Sequence, residues 1–413
     1  MRKIIASLDI GDTWIKLVVG EIYRNKLNVL ACVETLSRGI KKGFIVNAES
    51  ATEALKEAFN KVEETIGLKT TKVIITVPAI KTECFLTEGY TNISGEEKKV
   101  THKDIITAMQ NAVYSKIEGN KELVTILPTK YLINDTEIVA NPLGISAEKL
   151  NLKAVAVTVP KKNVSAIINC LEKIGVEVID ISVGSLGDYY QYRTKTTDTS
   201  VGAIVNIGAS KTEVSIFNKG ILTSCEVIDI GGDNIDSDLS YVFKINREDA
   251  IYLKERIALA DKNKAQPSES AVFENKIGDR IKINQFDASE VVISRLQEIL
   301  NLIKKQINLL TKKEISYIII TGGTTEVAEF KTLVEQNFRN ARIGEVTEIG
   351  VRDNKYSTAV GLIKYYDSRL KLRNKSFSIY SIEEQEELSG IHKKVNISED
   401  SILGKLFGYF FDS

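Results

Sequence analysis

Three short segments combine glycine with acidic, amide or hydroxyl side chains, and each follows an apolar run. They are Asp9-Ile10-Gly11-Asp12-Thr13, Asn206-Ile207-Gly208-Ala209-Ser210-Lys211-Thr212 and Thr321-Gly322-Gly323-Thr324. Glycine lets a backbone turn tightly and brings N–H groups close to an anion, while Ser and Thr hydroxyls add donors. The carboxylate of Asp9 can hold a hydrated Mg²⁺. Together the segments suit a phosphate chain, whereas a single strand–glycine turn is more often a plain hairpin.

The same succession of elements surrounds the first two segments. Residues 3–34 and 200–232 each show an apolar strand, an acidic or amide residue, a glycine turn, a second strand and a third strand. This predicts an internal duplication, with two lobes whose glycine turns face each other across a cleft. The third segment follows the apolar strand 317–321, and we expect it to open a helix over 324–338 whose N-terminus favours phosphate or ribose.

The remaining periodicity predicts further elements. Apolar residues at helical spacing indicate helices over 48–66 and 288–312 and a helical region over 233–260. Residues 84–160 indicate a second αβ unit. Residues 367–399 are charged and weakly periodic, which predicts a flexible linker.

Composition narrows the class of protein. The 413 residues suggest two or more domains, and 55 basic residues balance 55 acidic ones, which argues against nucleic acid as a partner. Four separated cysteines without a CxxC motif fit a reducing cytosol and give no zinc pattern. The N-terminus lacks the long apolar run of a signal peptide, and no segment has the roughly 18 apolar residues of a spanning helix.

In this order, the motifs over 1–366 resemble the actin–chaperone–sugar-kinase ATPases and, within them, the FtsA family of bacterial division proteins. The first two glycine segments are similar to that superfamily's two phosphate loops. The stretches IGGDNIDSDLSYVF and EDAIYLK are similar to its adenosine-side helices, and IIITGGTTEVAEF to its adenosine loop. Residues 127–159, with their NPLG turn, resemble the subdomain that FtsA carries in an unusual position, and YSTAVGLIKYY resembles its closing helix.

The resemblance implies an α/β actin-like ATPase fold with duplicated lobes around a nucleotide cleft and an FtsA-type inserted αβ subdomain. The implied divisions are a first lobe (1–83 with 161–198), the insertion (84–160), a second lobe (199–235 with 310–366), its small subdomain (236–309), a linker (367–399) and a terminal helix (400–413).

The resemblance also implies ATP and Mg²⁺ as cofactors, with Asp9 holding the metal through water. The implied nucleotide-binding residues are Asp9, Gly11, Asp12, Thr13, Lys16, Asn206, Gly208, Ala209, Ser210, Lys211, Thr212, Gly231, Gly232, Lys254, Gly322, Gly323 and Thr324. Some of these residues have a structural alternative to a binding role. Asn206 can cap a turn, and Lys16 can lie on a solvated strand face. The roles of Thr13 and Lys211 are ambiguous in the same way.

Three residues depart from the family pattern. Asn206 replaces an Asp, Ala209 replaces a Gly, and Ile251 stands where the family has a Glu that touches the adenosine. A neutral amide holds hydrated Mg²⁺ less strongly than a carboxylate does. We therefore expect ATP binding with at most slow ATPase activity.

The last residues form an amphipathic pattern. On a helical wheel, Ile402, Leu403, Leu406, Phe407 and Phe410 fall on one arc, and Phe411 adds to the apolar content. Such a helix is about 18 Å long, too short to cross a bilayer core of about 30 Å but able to lie in its interface. The alternative is a helix docked on its own domain.

The resemblance implies a protein that self-associates and tethers the FtsZ ring to the inner face of the bacterial cell membrane at the division site. Implied partners are the FtsZ C-terminal tail, further copies of the chain, membrane lipids and other division proteins. The FtsZ tail is expected on the small subdomain. The alternatives are an adaptor of a pilus or other envelope machine and a small-molecule kinase of the same superfamily.

Overall fold

The computed structural model describes residues 2–94, 97–351 and 353–394. The strands are, in chain order, β1 (Lys3–Ile10), β2 (Trp14–Tyr23), β3 (Lys26–Leu36), β4 (Ile40–Lys41), β5 (Phe44–Ile45), β6 (Lys72–Val77), β7 (Glu83–Asn92), β8 (Lys121–Ile133), β9 (Glu137–Val139), β10 (Lys149–Pro160), β11 (Glu177–Val183), β12 (Val201–Ile207), β13 (Thr212–Asn218), β14 (Ile221–Ile228), β15 (Ser270–Glu274), β16 (Arg280–Asn284), β17 (Tyr317–Thr321) and β18 (Ala341–Ile343).

The α-helices lie between and after these strands. They are α1 (Ala48–Ile66), α2 (His102–Val113), α3 (Lys162–Lys173), α4 (Gly184–Tyr192), α5 (Gly232–Phe243), α6 (Arg247–Tyr252), α7 (Gln285–Leu310), α8 (Phe330–Asn337), α9 (Ser357–Leu372) and α10 (Ile382–Lys394).

Two five-stranded sheets have the same topology. The first has the order β3-β2-β1-β6-β11 and the second the order β14-β13-β12-β17-β18. In each, the first three strands are antiparallel neighbours, and the last two join in parallel. The duplication predicted from the sequence is thereby confirmed, and its equivalent strands β1 and β12 both end at a glycine turn.

Helix α1 illustrates how the sequence builds a layer against the first sheet. The Asn47 side chain accepts a hydrogen bond from the Ser50 N–H, and the helix ends at Gly67, whose φ of 82° is left-handed. The apolar stripe predicted for this helix is buried, with Leu55 and Val62 inaccessible to solvent. Burial of this stripe holds the helix on β2 and β3.

The inserted αβ unit has its own sheet and core. Its sheet has the order β7-β10-β8-β9, and α2 packs against β7 and β10. The Thr101 hydroxyl accepts from the Asp104 N–H, and the Asp104 carboxylate accepts from the Thr101 N–H, which closes the start of α2. Gly89 lets α2 lie directly on β7, because a Cβ there would come within 2.4 Å of the Ala108 carbonyl oxygen.

The small subdomain differs from the sequence prediction. The helical region expected over 233–260 breaks after α5, where Lys244 takes a left-handed φ of 55°, and resumes as α6 with a π-helical turn at Leu253–Ile257. The hairpin β15–β16 was not predicted. Helix α7 begins before residue 288, since the Asn284 side chain accepts from the Asp287 N–H.

Helices α4 and α9 carry the chain between the two sheets and cross each other. Their backbones touch at two glycines: a Cβ on Gly361 would lie 1.8 Å from the Gly187 carbonyl oxygen. No larger residue fits at this crossing.

The segment 367–399 is not a linker throughout, contrary to the sequence prediction. Helix α9 continues to Leu372, and α10 occupies Ile382–Lys394. Between them residues 377–380, which we call the strap, lie against the first lobe: the Ile379 N–H donates to the Ile4 carbonyl at 2.9 Å, and the Tyr380 hydroxyl lies 2.8 Å from that of Thr70. Two buried apolar residues in a short charged stretch were too few for helical or strand periodicity to show.

Within the described ranges, no helix is long and apolar enough to cross a membrane. The predicted membrane-binding residues Ile402, Leu403, Leu406, Phe407, Phe410 and Phe411 lie outside the described residues.

Candidate nucleotide-binding site

The first glycine turn joins β1 to β2 and brings Asp9 opposite Lys16. The Lys16 ammonium lies 3.0 Å from Asp9 Oδ2, and the Thr76 hydroxyl donates to Asp9 Oδ1 at 3.2 Å. Thr76 also accepts from the Ile10 N–H at 3.0 Å. The Lys16 side chain is only 14% exposed, so it lies beside the Asp9 carboxylate and not on a solvated face of the strand.

The two hairpin turns meet. The Gly11 N–H donates to the Trp14 carbonyl at 3.1 Å and so closes the first turn. Asp12 Oδ1 accepts from the Gly43 N–H at 2.6 Å, and Asp12 Oδ2 accepts from the Ser210 hydroxyl of the second turn. The glycine bends of the two lobes therefore face each other across one cleft.

Other predicted residues of these turns have backbone or bridging contacts. Thr13 accepts at its carbonyl from the Ser37 N–H at 2.8 Å. Lys211 extends toward the first lobe, where its ammonium would lie 2.7 Å from a Cβ on Gly43. Thr212 is buried and donates to the Ile230 carbonyl at 2.7 Å.

The second turn joins β12 to β13, but its strand side chains point to the crossing helices. Asn206 Nδ2 donates to Asp188 Oδ2 at 2.8 Å and to the Thr358 hydroxyl at 3.1 Å. Across the hairpin from Asn206, Glu213 Oε1 accepts from the Ser185 N–H at 2.9 Å, at the start of α4. Asn206 thus joins β12 to α4 and α9, and its amide group bonds outside its own turn.

Asp188 is a buried acid that the sequence analysis missed. It is inaccessible to solvent, and its Oδ1 accepts from the Ser357 hydroxyl at 2.7 Å and the Thr358 hydroxyl at 2.9 Å. Burial raises the pKa of Asp188 to about 7, and the hydrogen bonds from Asn206, Ser357 and Thr358 oppose that rise. A lone acid inside the otherwise uncharged helix α4 was the signal in the sequence.

The third segment packs against the second turn. The Gly232 N–H and the Thr324 hydroxyl both donate to the Gly208 carbonyl at 3.0 Å. A Cβ on Gly232 would lie 2.8 Å from the Thr324 hydroxyl and 3.7 Å from the Lys254 ammonium. Gly322 takes a left-handed φ of 97°. The second and third segments, the start of α5 and Lys254 therefore lie together.

Glycine is required at the neighbouring position too. A Cβ on Gly231 would lie 2.5 Å from the carbonyl oxygens of Gly208 and Ala209, and the Ala209 carbonyl accepts from the Asp233 N–H at 2.7 Å. Gly323 has room for a Cβ, which would contact Lys355 at 3.6 Å.

Lys254 and Asp236 form an ion pair, and the third segment differs from its prediction. Lys254 lies 2.7 Å from the buried carboxylate of Asp236, whose pKa is raised by burial against the opposing charge of Lys254. The helix expected over 324–338 is a 3₁₀ turn at Gly323–Glu326 followed by α8. The interruption falls at Glu329, whose φ of 65° is left-handed.

Comparison with solved structures defines the class of protein. A PilM–PilN type IV pilus biogenesis complex has a TM-score of 0.56 at 14% identity, covering 87% of this chain and 98% of that chain. MreB5 of Spiroplasma citri bound to ADP has a TM-score of 0.56 at 13% identity, covering 89% and 98%. The chain has an actin-like ATPase fold.

Comparison with protein families identifies the family within this fold class. The model for cell division protein FtsA matches residues 203–361, and that for the SHS2 domain inserted in FtsA matches 80–158. Cell division protein FtsA of Bacillus subtilis is 26% identical over 388 residues, covering 93% of this chain and 88% of the relative. That of Pseudomonas aeruginosa is 27% identical over 375 residues, covering 88% and 89%. The chain belongs to the FtsA family of cell division proteins.

Proposed function

We propose that this chain binds ATP with Mg²⁺ between its two glycine turns, self-associates, and tethers the FtsZ ring to the cytoplasmic face of the membrane. The observation that carries the nucleotide part is the convergence of Asp12, Ser210 and Thr324, one from each glycine segment, with Gly232 at the start of α5. The MreB5 neighbour, whose fold this chain shares, is bound to ADP.

The residues of the cleft fit a nucleotide. Gly232 lets the Thr324 hydroxyl pack directly on the backbone beside the second turn, and the nearby Lys254 ammonium is a cation for an anionic ligand. Lys16 offers a second cation next to Asp9. Among the described residues no three His, Cys, Asp or Glu side chains cluster as metal ligands, so Mg²⁺ at Asp9 would complete its shell with water and phosphate oxygens.

Hydrolysis is expected to be slow at most. Mg²⁺ neutralises phosphate charge and can orient an attacking water when it is bound. At the two equivalent strand ends this chain supplies a carboxylate only in Asp9, because Asn206 is neutral and its amide is bonded to Asp188 and Thr358. We therefore propose that nucleotide governs closure of the lobes and association between copies.

Calorimetry of ATP binding tests the nucleotide site. Asp9→Ala is expected to abolish Mg-ATP binding, because the metal loses its carboxylate. The matched control is Asp135→Ala in the inserted subdomain, which also removes an aspartate paired with a lysine and should leave the isotherm unchanged. An unchanged isotherm for Asp9→Ala would remove Asp9 from the site.

Membrane attachment is proposed for residues 400–413. Their charges sum to about −1 at neutral pH, so the large apolar side chains must supply most of the affinity, at about 1.5 kcal/mol each before the cost of ordering the helix. Deletion of 400–413 should release the folded protein from sedimenting liposomes. Retained sedimentation would reject the anchor.

The FtsZ tail is proposed to bind the small subdomain, which exposes several large apolar side chains. Tyr241 is 85% and Ile277 is 80% exposed. Replacing both with Ser should weaken binding of an FtsZ tail peptide in a fluorescence titration. The control is Leu86→Ser with Tyr114→Ser, two similarly exposed residues of the inserted subdomain. Equal weakening by both pairs would contradict the assignment.

A further inference from the structure

The end of the first sheet opposite the glycine turn is strongly basic. Strand β1 runs from Lys3 at this end to Asp9 at the cleft, so the two ends lie about 20 Å apart. Six exposed basic residues come from the start of β1, the β2–β3 turn and the end of α9. They form what we call the basic edge: Arg2, Arg24, Lys26, Lys371, Arg373 and Lys375.

Specific contacts hold these three elements together. The Lys371 ammonium donates to the Asn25 side chain at 3.1 Å, which joins the end of α9 to the β2–β3 turn. Lys3 and Lys371 both pair with Asp367, at 2.6 and 2.8 Å. The Arg24 guanidinium lies 5.2 Å from the centre of the Tyr23 ring. The basic edge is therefore one continuous surface.

The acidic residues that pair with the basic edge's own residues are largely covered. Asp367 is 7% exposed between its two lysines, and two hydrogen bonds from them hold its pKa below its ordinary value although burial opposes this. Glu21 pairs with Arg2 at 3.4 Å, and its side chain is 16% exposed. The accessible charge of the six-residue edge is thus positive, although the whole chain has formal net charge zero. The exposed acids of this end of the lobe, Glu177 at the start of β11 and Glu383, Glu386 and Glu387 on α10, lie outside the edge.

The strap that precedes the last described helix lies at this same end. The strap binds Ile4 next to Lys3, and Lys72 of the adjacent strand β6 lies 5.9 Å from the centre of the Phe377 ring. Helix α10 follows, with Leu388 packed on the first-lobe core. Residues 395–401 can span at most about 25 Å before the proposed anchor begins. This length keeps the first lobe close to any bilayer that the anchor enters.

We infer that the basic edge binds the anionic phospholipid headgroups of the membrane. The inference rests on the proposed tethering function and adds an orientation: the strand-start end of the first lobe faces the bilayer, and the nucleotide cleft faces away. The terminal helix supplies apolar insertion but no net positive charge. The basic edge supplies the electrostatic attraction, which acts within about one Debye length.

Vesicle sedimentation of the full chain tests this division of roles. One variant carries R24N, K26Q and K375Q, all exposed positions, and its control carries K304Q, K305Q and K313Q, three exposed lysines of the second lobe. Each basic residue near an anionic surface contributes about a fivefold factor in partitioning. The edge variant should bind vesicles with 30% phosphatidylglycerol at least about tenfold more weakly and pure phosphatidylcholine vesicles unchanged. The control should match the unmodified chain on both.

The outcomes separate the edge from the anchor. If deletion of 400–413 abolishes binding to both vesicle types while the edge variant keeps its preference for phosphatidylglycerol, the edge assignment is overturned and the tether stands. If the deletion leaves vesicle binding intact, the tether fails. If the second-lobe control loses the preference as much as the edge variant, the charge effect is general, and the edge assignment fails. Matching thermal unfolding of all variants confirms that they are folded.

Discussion

The hairpins β1–β2 and β12–β13 are equivalent in topology but carry different charged residues at equivalent positions. In the first, Asp9 stands in register with Lys16, and the two form an ion pair at the cleft. In the second, Asn206 stands in register with Glu213, and both bond to helix α4, through Asp188 and the Ser185 N–H. The same fold unit thus presents a carboxylate and a cation to the cleft in one lobe, and in the other it fastens a crossing helix.

This difference separates two roles that a symmetric duplication would combine. The first hairpin keeps a carboxylate that a metal can approach, since the Asp9 side chain is 16% exposed. The second hairpin has its carboxylate partner, Asp188, beneath the sheet and out of contact with solvent. We therefore expect changes in the first hairpin to affect ligand binding and changes in the second to affect stability.

Removal of Asp188 should have the largest effect on stability. Asp188→Ala leaves donors of Asn206, Ser357 and Thr358 buried without their acceptor, so the free energy of unfolding should fall by about 3–5 kcal/mol. Urea unfolding measures it. Asp9→Ala is the comparison and should cost less, about 1–2 kcal/mol, since Asp9 is in contact with solvent and loses one ion pair and one hydrogen bond. Equal losses would break the distinction between the two hairpins.

Restoring the family's acid at position 206 should also destabilise the fold. Asn206→Asp places a second carboxylate against Asp188, at a cost of about 2–3 kcal/mol at pH 8 and less at pH 6, where the pair can share a proton. Adding Asp188→Asn restores one acid and one amide and should recover most of the loss. A double-mutant cycle from urea unfolding measures the coupling; additive losses would show that the two sites are independent.

The pH dependence of stability should carry a contribution from Asp188. Its pKa rises from an ordinary 3.8 to about 7, so between these values the folded protein holds a proton that the unfolded chain has lost. This stabilising contribution is complete below the lower value and disappears as the pH rises through 7, at up to about 1.4 kcal/mol per pH unit. Asp188→Asn should flatten the unfolding free energy between pH 5 and 7 relative to the unmodified chain. An unchanged slope would assign the titration to another group.

The smallest effect is expected at Glu213. Glu213→Gln keeps the acceptor for the Ser185 N–H but removes a negative charge from the start of α4, so unfolding should become easier by about 1 kcal/mol or less. Thermal unfolding can resolve this change, and the affinity for ATP should not change. A loss of ATP affinity would place Glu213 in the ligand site and narrow the difference between the hairpins.

The sequence predicted what depends on local pattern. Strands ending in glycine turns, the duplication and helix α1 follow from apolar spacing and from glycine's backbone freedom. The role of Asp188 was not predicted because its partners lie on β12 and α9, far away in sequence, and only the fold brings them together. The strap and the hairpin β15–β16 escaped because each is a few residues long, and short runs show no clear period. Asn206 was noticed, but its bonds to α4 and α9 depend on long-range packing.

The contact of Gly187 with Gly361 has a mechanical consequence. At the point where the chain passes between lobes, backbone meets backbone with no side chain between them. A rotation of one lobe about this contact therefore requires no side chain to change its rotamer. Rotation of the lobes is then resisted mainly by the hydrogen bonds around the glycine contact, and the carboxylate of Asp188 accepts three of them.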